Sequence, residues 1–239
     1  MIVDGLTFSY TENTPIFDNV SMHFDKNKIY SIVGPSGCGK TTLFKLLVGI
    51  EQLQKGRIVF DEGDHLSIMM QTDTLLPWRT VKDNIQLGSE LTSGKCVQES
   101  IIDDYLLQFK LDGIKQLFPT ELSTGMKQRV SLIQSMVGET DYLFLDEPFS
   151  NLDFDVKLQV QRTLLEYHQR IKNTIVIITH DIEDAIVLSD EIIVLSAKPV
   201  KVMDTIHVEI DNSDPVIVRS EPIIADYFQR IWSLLKPSL

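Results

Sequence analysis

The sequence predicts an α/β fold in which a core with a parallel sheet is preceded by antiparallel strands and interrupted by a helical insertion. The segment Gly34-Pro35-Ser36-Gly37-Cys38-Gly39-Lys40-Thr41 is the first ground. It fits G-x-x-x-x-G-K-S/T and lies between a buried-strand pattern, Ile29–Val33, and an apolar helical pattern over residues 42–48. The second is a set of continuous apolar runs, residues 142–145, Thr174–Ile178 and Glu191–Leu195, whose composition suits strands covered on both faces. The third is the stretch from about residue 80 to 138, where residues 81–87, 97–107 and 126–137 read as helices with no strand among them.

In chain order, residues 6–10 and 20–24 alternate apolar with polar around the turn-rich residues 11–15, the pattern of antiparallel strands. The strand at Ile29–Val33 then runs into the glycine-rich loop. Residues 57–60 and 66–70 are further strands, and the helical insertion follows. After the last apolar run come a short strand at 206–210, a polar turn at 211–215 and an amphipathic helix over 224–235. The predicted organisation is one domain: residues 1–75 and 139–205 form the core, 76–138 the helical subdomain, and 206–239 a C-terminal extension.

A chain of 239 residues with 43% apolar residues buries a substantial core without disulfide staples. Its net charge of −12 and the lack of any Lys/Arg block argue against nucleic acid as a partner, because binding that backbone needs clustered positive charge. Cys38 and Cys96 are too few for a disulfide framework and suggest a reducing compartment. The N-terminus has no basic, apolar leader pattern, and no run of about 18 apolar residues occurs, so the expectation is an intracellular chain held at a membrane only through a partner.

The loop carries the first chemistry. Glycines let successive backbone N–H groups of Gly34, Pro35–Gly39 and the following residues Lys40, Thr41 and Thr42 turn around a polyphosphate, proline contributing shape only, at the positive end of the next helix. Lys40 reaches the β- and γ-phosphates and the Thr41 hydroxyl binds Mg²⁺. The apolar run at 142–145 ends in Asp146-Glu147. Asp146 holds Mg²⁺ through water, and Glu147 orients or deprotonates the water that attacks the γ-phosphate.

Leu122-Ser123-Thr124-Gly125-Met126-Lys127-Gln128-Arg129, just before Asp146-Glu147, resembles the signature motif of ABC-type ATPases, with Thr124 and Met126 where glycine and glutamine are usual. Other motifs of that family fall in order over nearly the whole chain: Gln71 at the Q-loop position, Ser150-Asn151-Leu152-Asp153 at the D-loop, His180 at the switch histidine and Tyr10 at the adenine-stacking aromatic. The resemblance implies a P-loop NTPase core of the ABC ATPase type with an N-terminal antiparallel β subdomain and an inserted α-helical subdomain. It implies ATP and Mg²⁺ as ligands, stacking on Tyr10, metal and water contacts from Gln71, and a γ-phosphate contact from His180. Ser123 and Gly125 open a helix and so form an anion site. In this family such a site meets the γ-phosphate held by a second copy, which makes the expected unit a homodimer with Asp153 near its interface.

The segment after Gln71, from Thr72 through Leu75-Leu76-Pro77-Trp78 to Ile85, resembles that of importers for nitrate, sulfonates, taurine and related small molecules, a feature shared by pyrimidine-precursor importers. The implied function is the ATP-hydrolysing subunit of an importer, peripheral on the cytoplasmic face of the cell membrane. It would contact integral permease subunits through Leu75 to Trp78 and, through them, an extracytoplasmic binding protein. A soluble ABC ATPase acting on nucleic acid or a ribosome is the alternative; the acidic single cassette disfavours it.

Overall fold

The structure is a computed structural model that describes residues 1–239 except 12, 13, 72, 73, 211–213 and 237–239. Parts of the expected turns at 11–15 and 211–215, and Thr72-Asp73 of the importer-like segment, therefore lie outside the described residues. The chain divides into two compact units, one of residues 1–64 and 174–239 and the other of residues 65–173.

In the first unit, β1 (Ile2–Phe8) lies between β2 (Phe17–His23) and β4 (Lys55–Val59), antiparallel to both. Alternation puts Val3, Leu6 and Phe8 inward, with a register shift between Val3 and Leu6. The second group of strands is centred on β3 (Ile29–Val33), parallel to β7 (Thr174–Ile178) on one side and β8 (Glu191–Leu195) on the other. All three are buried along their length, as their continuous apolar runs require. The helix α1 (Lys40–Leu47) leaves β3 through the glycine-rich loop, and α6 (Ile182–Leu188) joins β7 to β8.

The last strand differs from the expectation at 206–210. β9 runs over Val202–His207 and pairs antiparallel with β8, extending the edge of this sheet. Most of its side chains stay partly or fully exposed, so the strand has no apolar run to announce its start. The polar turn expected to end at Pro215 gives way to a helix there. Asp214 accepts a hydrogen bond from the Val216 N–H at 2.9 Å and Pro215 occupies the first turn of α7 (Pro215–Ser220), a capped start that a sequence can carry. α8 (Ile223–Leu235) lays Ile231 and Leu235 against Ile182, Ala185 and Ile186 of α6 and against Val194 and Ile206.

In the second unit, β5 (Leu66–Met69) pairs in parallel with β6 (Tyr142–Asp146). β6 is wholly buried, whereas β5 alternates, burying Ser67 and Met69 and exposing Leu66 and Ile68. Between them lie α2 (Val81–Ser93), α3 (Glu99–Gln108) and α4 (Thr124–Met136), and after β6 comes α5 (Phe154–Ile171). Among the described residues from 80 to 138 there is no strand. Thr80 caps α2 by accepting from the Asp83 N–H at 3.2 Å, and Ile85, Ile102, Leu106, Phe109, Val130 and Ile133 are buried apolar side chains of this helical segment.

Candidate nucleotide site and signature helix

In the first unit the apolar β3 delivers the chain into the glycine-rich loop with Gly34 and Pro35 buried, Ser36 and Gly37 exposed, and Cys38 buried again. The Cys38 N–H donates to the Pro35 carbonyl at 3.3 Å and closes the turn. Gly39 has φ 121, a conformation suited to glycine, and a Cβ there would sit 2.7 Å from Ile16 Cγ2. The β1–β2 hairpin and the loop are thus packed against each other through a position that admits no side chain. α1 starts without a side-chain cap and without an acidic residue in its first turn, so its amino end offers N–H groups to an anion and no competing carboxylate. Lys40 donates from Nζ to the carbonyls of Gly34 at 2.8 Å and Pro35 at 3.2 Å, which holds the ammonium over the loop. Thr41 is exposed and Thr42 half-buried at the helix start. Burial pushes the Cys38 thiol pKa up, against the opposing pull of the Lys40 charge.

Tyr10 lies just beyond β1 and is 59% exposed. Its ring meets that of Phe8 edge to face at 4.9 Å. The backbone before it is fixed by Gln54, which accepts from the Ser9 N–H at 2.9 Å and donates to the Ser9 carbonyl at 2.7 Å. His180 is exposed beyond the carboxyl end of β7. The next residue, Asp181, caps α6 by accepting from the Asp184 N–H at 3.1 Å.

In the second unit, Gln71 is exposed after β5 and lines a cavity of about 200 Å³ shared with Thr124, Lys127, Gln128 and Asn151. Ser123 is the N-cap of α4, accepting from the Met126 N–H at 3.3 Å, so the predicted helix opening is formed and Thr124 becomes its first residue. Gly125 packs so closely on the D-loop stretch that a Cβ would stand 2.9 Å from the Asn151 carbonyl oxygen. Asp146 and Glu147 are both buried at the carboxyl end of β6. Glu147 has φ 53, a left-handed backbone that costs a non-glycine residue about 1–2 kcal/mol. Asp153 is exposed and holds the N-cap position of α5 without a side-chain cap bond.

Sequence reasoning missed two residues here. Gln128 donates to the Glu147 carbonyl at 2.7 Å, and nothing in the motif reveals that contact. Asn84, fully buried, accepts from the Leu76 N–H at 2.8 Å and donates to the carbonyls of Leu76, Arg79 and Thr80 at 3.0–3.1 Å. An asparagine four residues after an N-capping threonine was the available signal. The loop it holds presents Trp78, which is 72% exposed. Leu75, expected beside it on the partner-facing surface, is instead buried at 6% exposure. The loop turns one apolar residue inward as an anchor and the other outward.

Comparison with known proteins shows the family of the chain. The family described as ABC transporter matches residues 17–150. The chain is 34% identical to YtlC of Bacillus subtilis, named an uncharacterized ABC transporter ATP-binding protein, over 98% of this chain and 94% of that one. It is 33% identical to the aliphatic sulfonates import ATP-binding protein SsuB of Bacillus cereus, over 89% and 86%. The fold is shared with the dimeric ATP-binding cassette MJ0796 in a post-hydrolysis state with ADP and Pi, at a TM-score of 0.78, 20% identity and coverage of 88% and 99%. The protein is an ATP-binding cassette of the ABC ATPase fold. It belongs to the ABC transporter family.

Proposed function

We propose that this chain is the ATP-hydrolysing subunit of an ABC importer for a small molecule of the nitrate, sulfonate, taurine or pyrimidine-precursor kind, working as a homodimer on the cytoplasmic face of the membrane. The observation that carries the hydrolytic part is the pair Asp146-Glu147, buried at the end of β6 in a chain that also carries the uncapped α1 start behind Lys40. The importer part is supported by the likeness to SsuB and by the outward Trp78. Among the described residues no helix is long and apolar enough to cross a membrane, so a separate permease would form the pathway.

Lys40 and the N–H groups of Gly34 and of residues 36–42 bind the triphosphate, and Tyr10 offers its face to adenine. The Thr41 hydroxyl, the Asp146 carboxylate and the Gln71 amide oxygen are hard oxygen donors, the chemistry that Mg²⁺ selects. Among the described residues no group of three or more His, Cys, Asp or Glu forms a metal cage, which suits an ion that arrives with a nucleotide. Bound Mg²⁺ would neutralise charge on the β- and γ-phosphates. Glu147 takes the proton of the attacking water, His180 hydrogen-bonds the γ-phosphate, and Gln71 orients the water. Ser123 and Gly125 contact the γ-phosphate held by the second copy, with Asp153 beside that interface.

The test is Glu147→Gln in the purified chain. ATP turnover should drop by about 100-fold or more, the scale of a lost general base, and ATP should hold the variant as a dimer in size-exclusion chromatography. Wild-type turnover by this variant would remove Glu147 from the mechanism.

A further inference from the structure

We propose that Gln128 is a positioning residue that ties the signature helix to the backbone of Glu147, so that occupancy of the signature by a second copy's nucleotide sets the aim of this chain's own base. The inference rests on the roles proposed above for Ser123, Gly125 and Glu147.

Three facts carry it. Glu147 is held with φ 53, and a backbone in that region persists only where its surroundings impose it. The surroundings are specific: the Glu147 carbonyl accepts from Gln128 Nε2 at 2.7 Å and from Ser150 Oγ at 3.1 Å. The same Gln128 amide reaches the D-loop twice more, donating to Ser150 Oγ and accepting from the Asn151 N–H, both at 3.3 Å.

Gln128 stands on α4 five residues after the Ser123 cap, so it rides on the helix whose amino end is the signature. Close packing of Gly125 on the Asn151 carbonyl makes a second tie between the same two segments. A shift or rotation of α4 therefore reaches the residues from Glu147 to Asn151 through short, directional contacts. The direction in which the Glu147 Cα–Cβ bond leaves the chain follows from its backbone angles, and the side-chain rotamers start from there. Because a misplacement of about 1 Å at a reacting group costs on the order of 100-fold in rate, a single bond at the Glu147 carbonyl is enough to grade the activity of its carboxylate.

Gln128→Glu keeps the length of the side chain and an oxygen for the Asn151 N–H but removes the donor to the Glu147 carbonyl. Gln128→Met keeps the length, adds no charge and removes both. Each should lower kcat by about 10- to 100-fold while the Kd for ATP stays within about twofold, because neither touches the nucleotide of its own chain. The Hill coefficient for ATP should fall towards 1. Placed in a Glu147→Gln background, either substitution should have no further effect on turnover. If the Gln128→Glu charge impairs folding, Gln128→Met decides, with kcat normalised to the ATP-binding fraction. Wild-type kcat and Hill coefficient in the Met variant, where Glu147→Gln alone blocks turnover, would overturn the inference. Wild-type turnover in Glu147→Gln alone would instead remove the underlying reading of Glu147.

Discussion

Arg219 on α7 donates from Nη2 to Asp184 Oδ1 on α6 at 3.0 Å, with side-chain exposures of only 13% and 3%. This ion pair joins the C-terminal extension to the helix that begins two residues after His180. The Arg219 Nη1 also donates to the Pro215 carbonyl at 3.1 Å, so the guanidinium is braced against its own helix as it reaches α6.

Removing the guanidinium takes an opposite charge away from a carboxylate whose side chain is 3% exposed, and breaking such a buried pair costs about 3–5 kcal/mol. Arg219→Ala is expected to lower Tm by ~6–20 °C, from about 2–4 °C per kcal/mol for a chain of this size. The double variant Arg219→Met/Asp184→Asn, which removes both charges, should recover much of the loss. Differential scanning calorimetry decides it. A Tm unchanged in Arg219→Ala would show that the pair does not hold the extension in place.

Cys38 is 2% exposed, and Cys96 is exposed. The reactive species is the thiolate, and burial raises the Cys38 pKa above the ordinary thiol value, which lowers its thiolate fraction at neutral pH. Iodoacetamide at pH 7.5 should therefore label Cys96 first and Cys38 more slowly by about tenfold. MgATP should slow Cys38 further and leave Cys96 unaffected. Peptide mass spectrometry over time measures both rates, and a Cys38 rate indifferent to nucleotide would count against its place in the phosphate loop.

The parts of this protein that were legible in the sequence are those whose physics is local. β3, β6, β7 and β8 are buried on both faces and so are written as continuous apolar runs, and the glycine-rich loop is marked by residues that its backbone demands. β9 and α7 were hidden for opposite reasons. β9 is half-exposed and exists because β8 offers it an edge, whereas α7 carries a real start signal, Asp214-Pro215, inside what reads as a turn. Leu75 and Trp78 look alike in sequence, and only packing assigns one inward and one outward. Gln128 is invisible as a tether because its partners, Glu147, Ser150 and Asn151, lie 19 to 23 positions away.

The Trp78 loop yields a paired expectation. Trp78→Ala removes a side chain that is 72% exposed, so Tm should move by no more than about 2 °C, since exposed substitutions stay within ~0.5 kcal/mol. Recovery of the permease by co-purification should fall by about tenfold or more, the scale of a lost aromatic anchor. Asn84→Ala should weaken the same assembly and also cost stability, about 1–3 kcal/mol, because the Leu76 N–H and the Arg79 carbonyl lose the side-chain amide they bond to. Undiminished co-purification with Trp78→Ala would leave the exposed indole without the assigned partner.

Gly88 sets helix propensity against packing. It lies inside α2, where replacing glycine by alanine ordinarily stabilises a helix by about 1 kcal/mol. Here a Cβ would fall against the backbone carbonyl oxygen of Gln134 on α4, closer than any real contact, and within 3.0 Å of Val137 Cγ2. A backbone carbonyl cannot swing aside as a side chain does, so α2 and α4 would have to separate, at a cost of about 1–3 kcal/mol for overpacking. They would also strain the bond from Gln134 Nε2 to the Asn84 carbonyl, 2.8 Å long, that joins the helices one turn earlier. Gly88→Ala is therefore expected to lower the urea midpoint, whereas Gly94→Ala, at the left-handed end of α2 with open space around it, should destabilise only by its backbone strain of about 1 kcal/mol. A raised midpoint for Gly88→Ala would mean that propensity outweighs the close approach of the two helices.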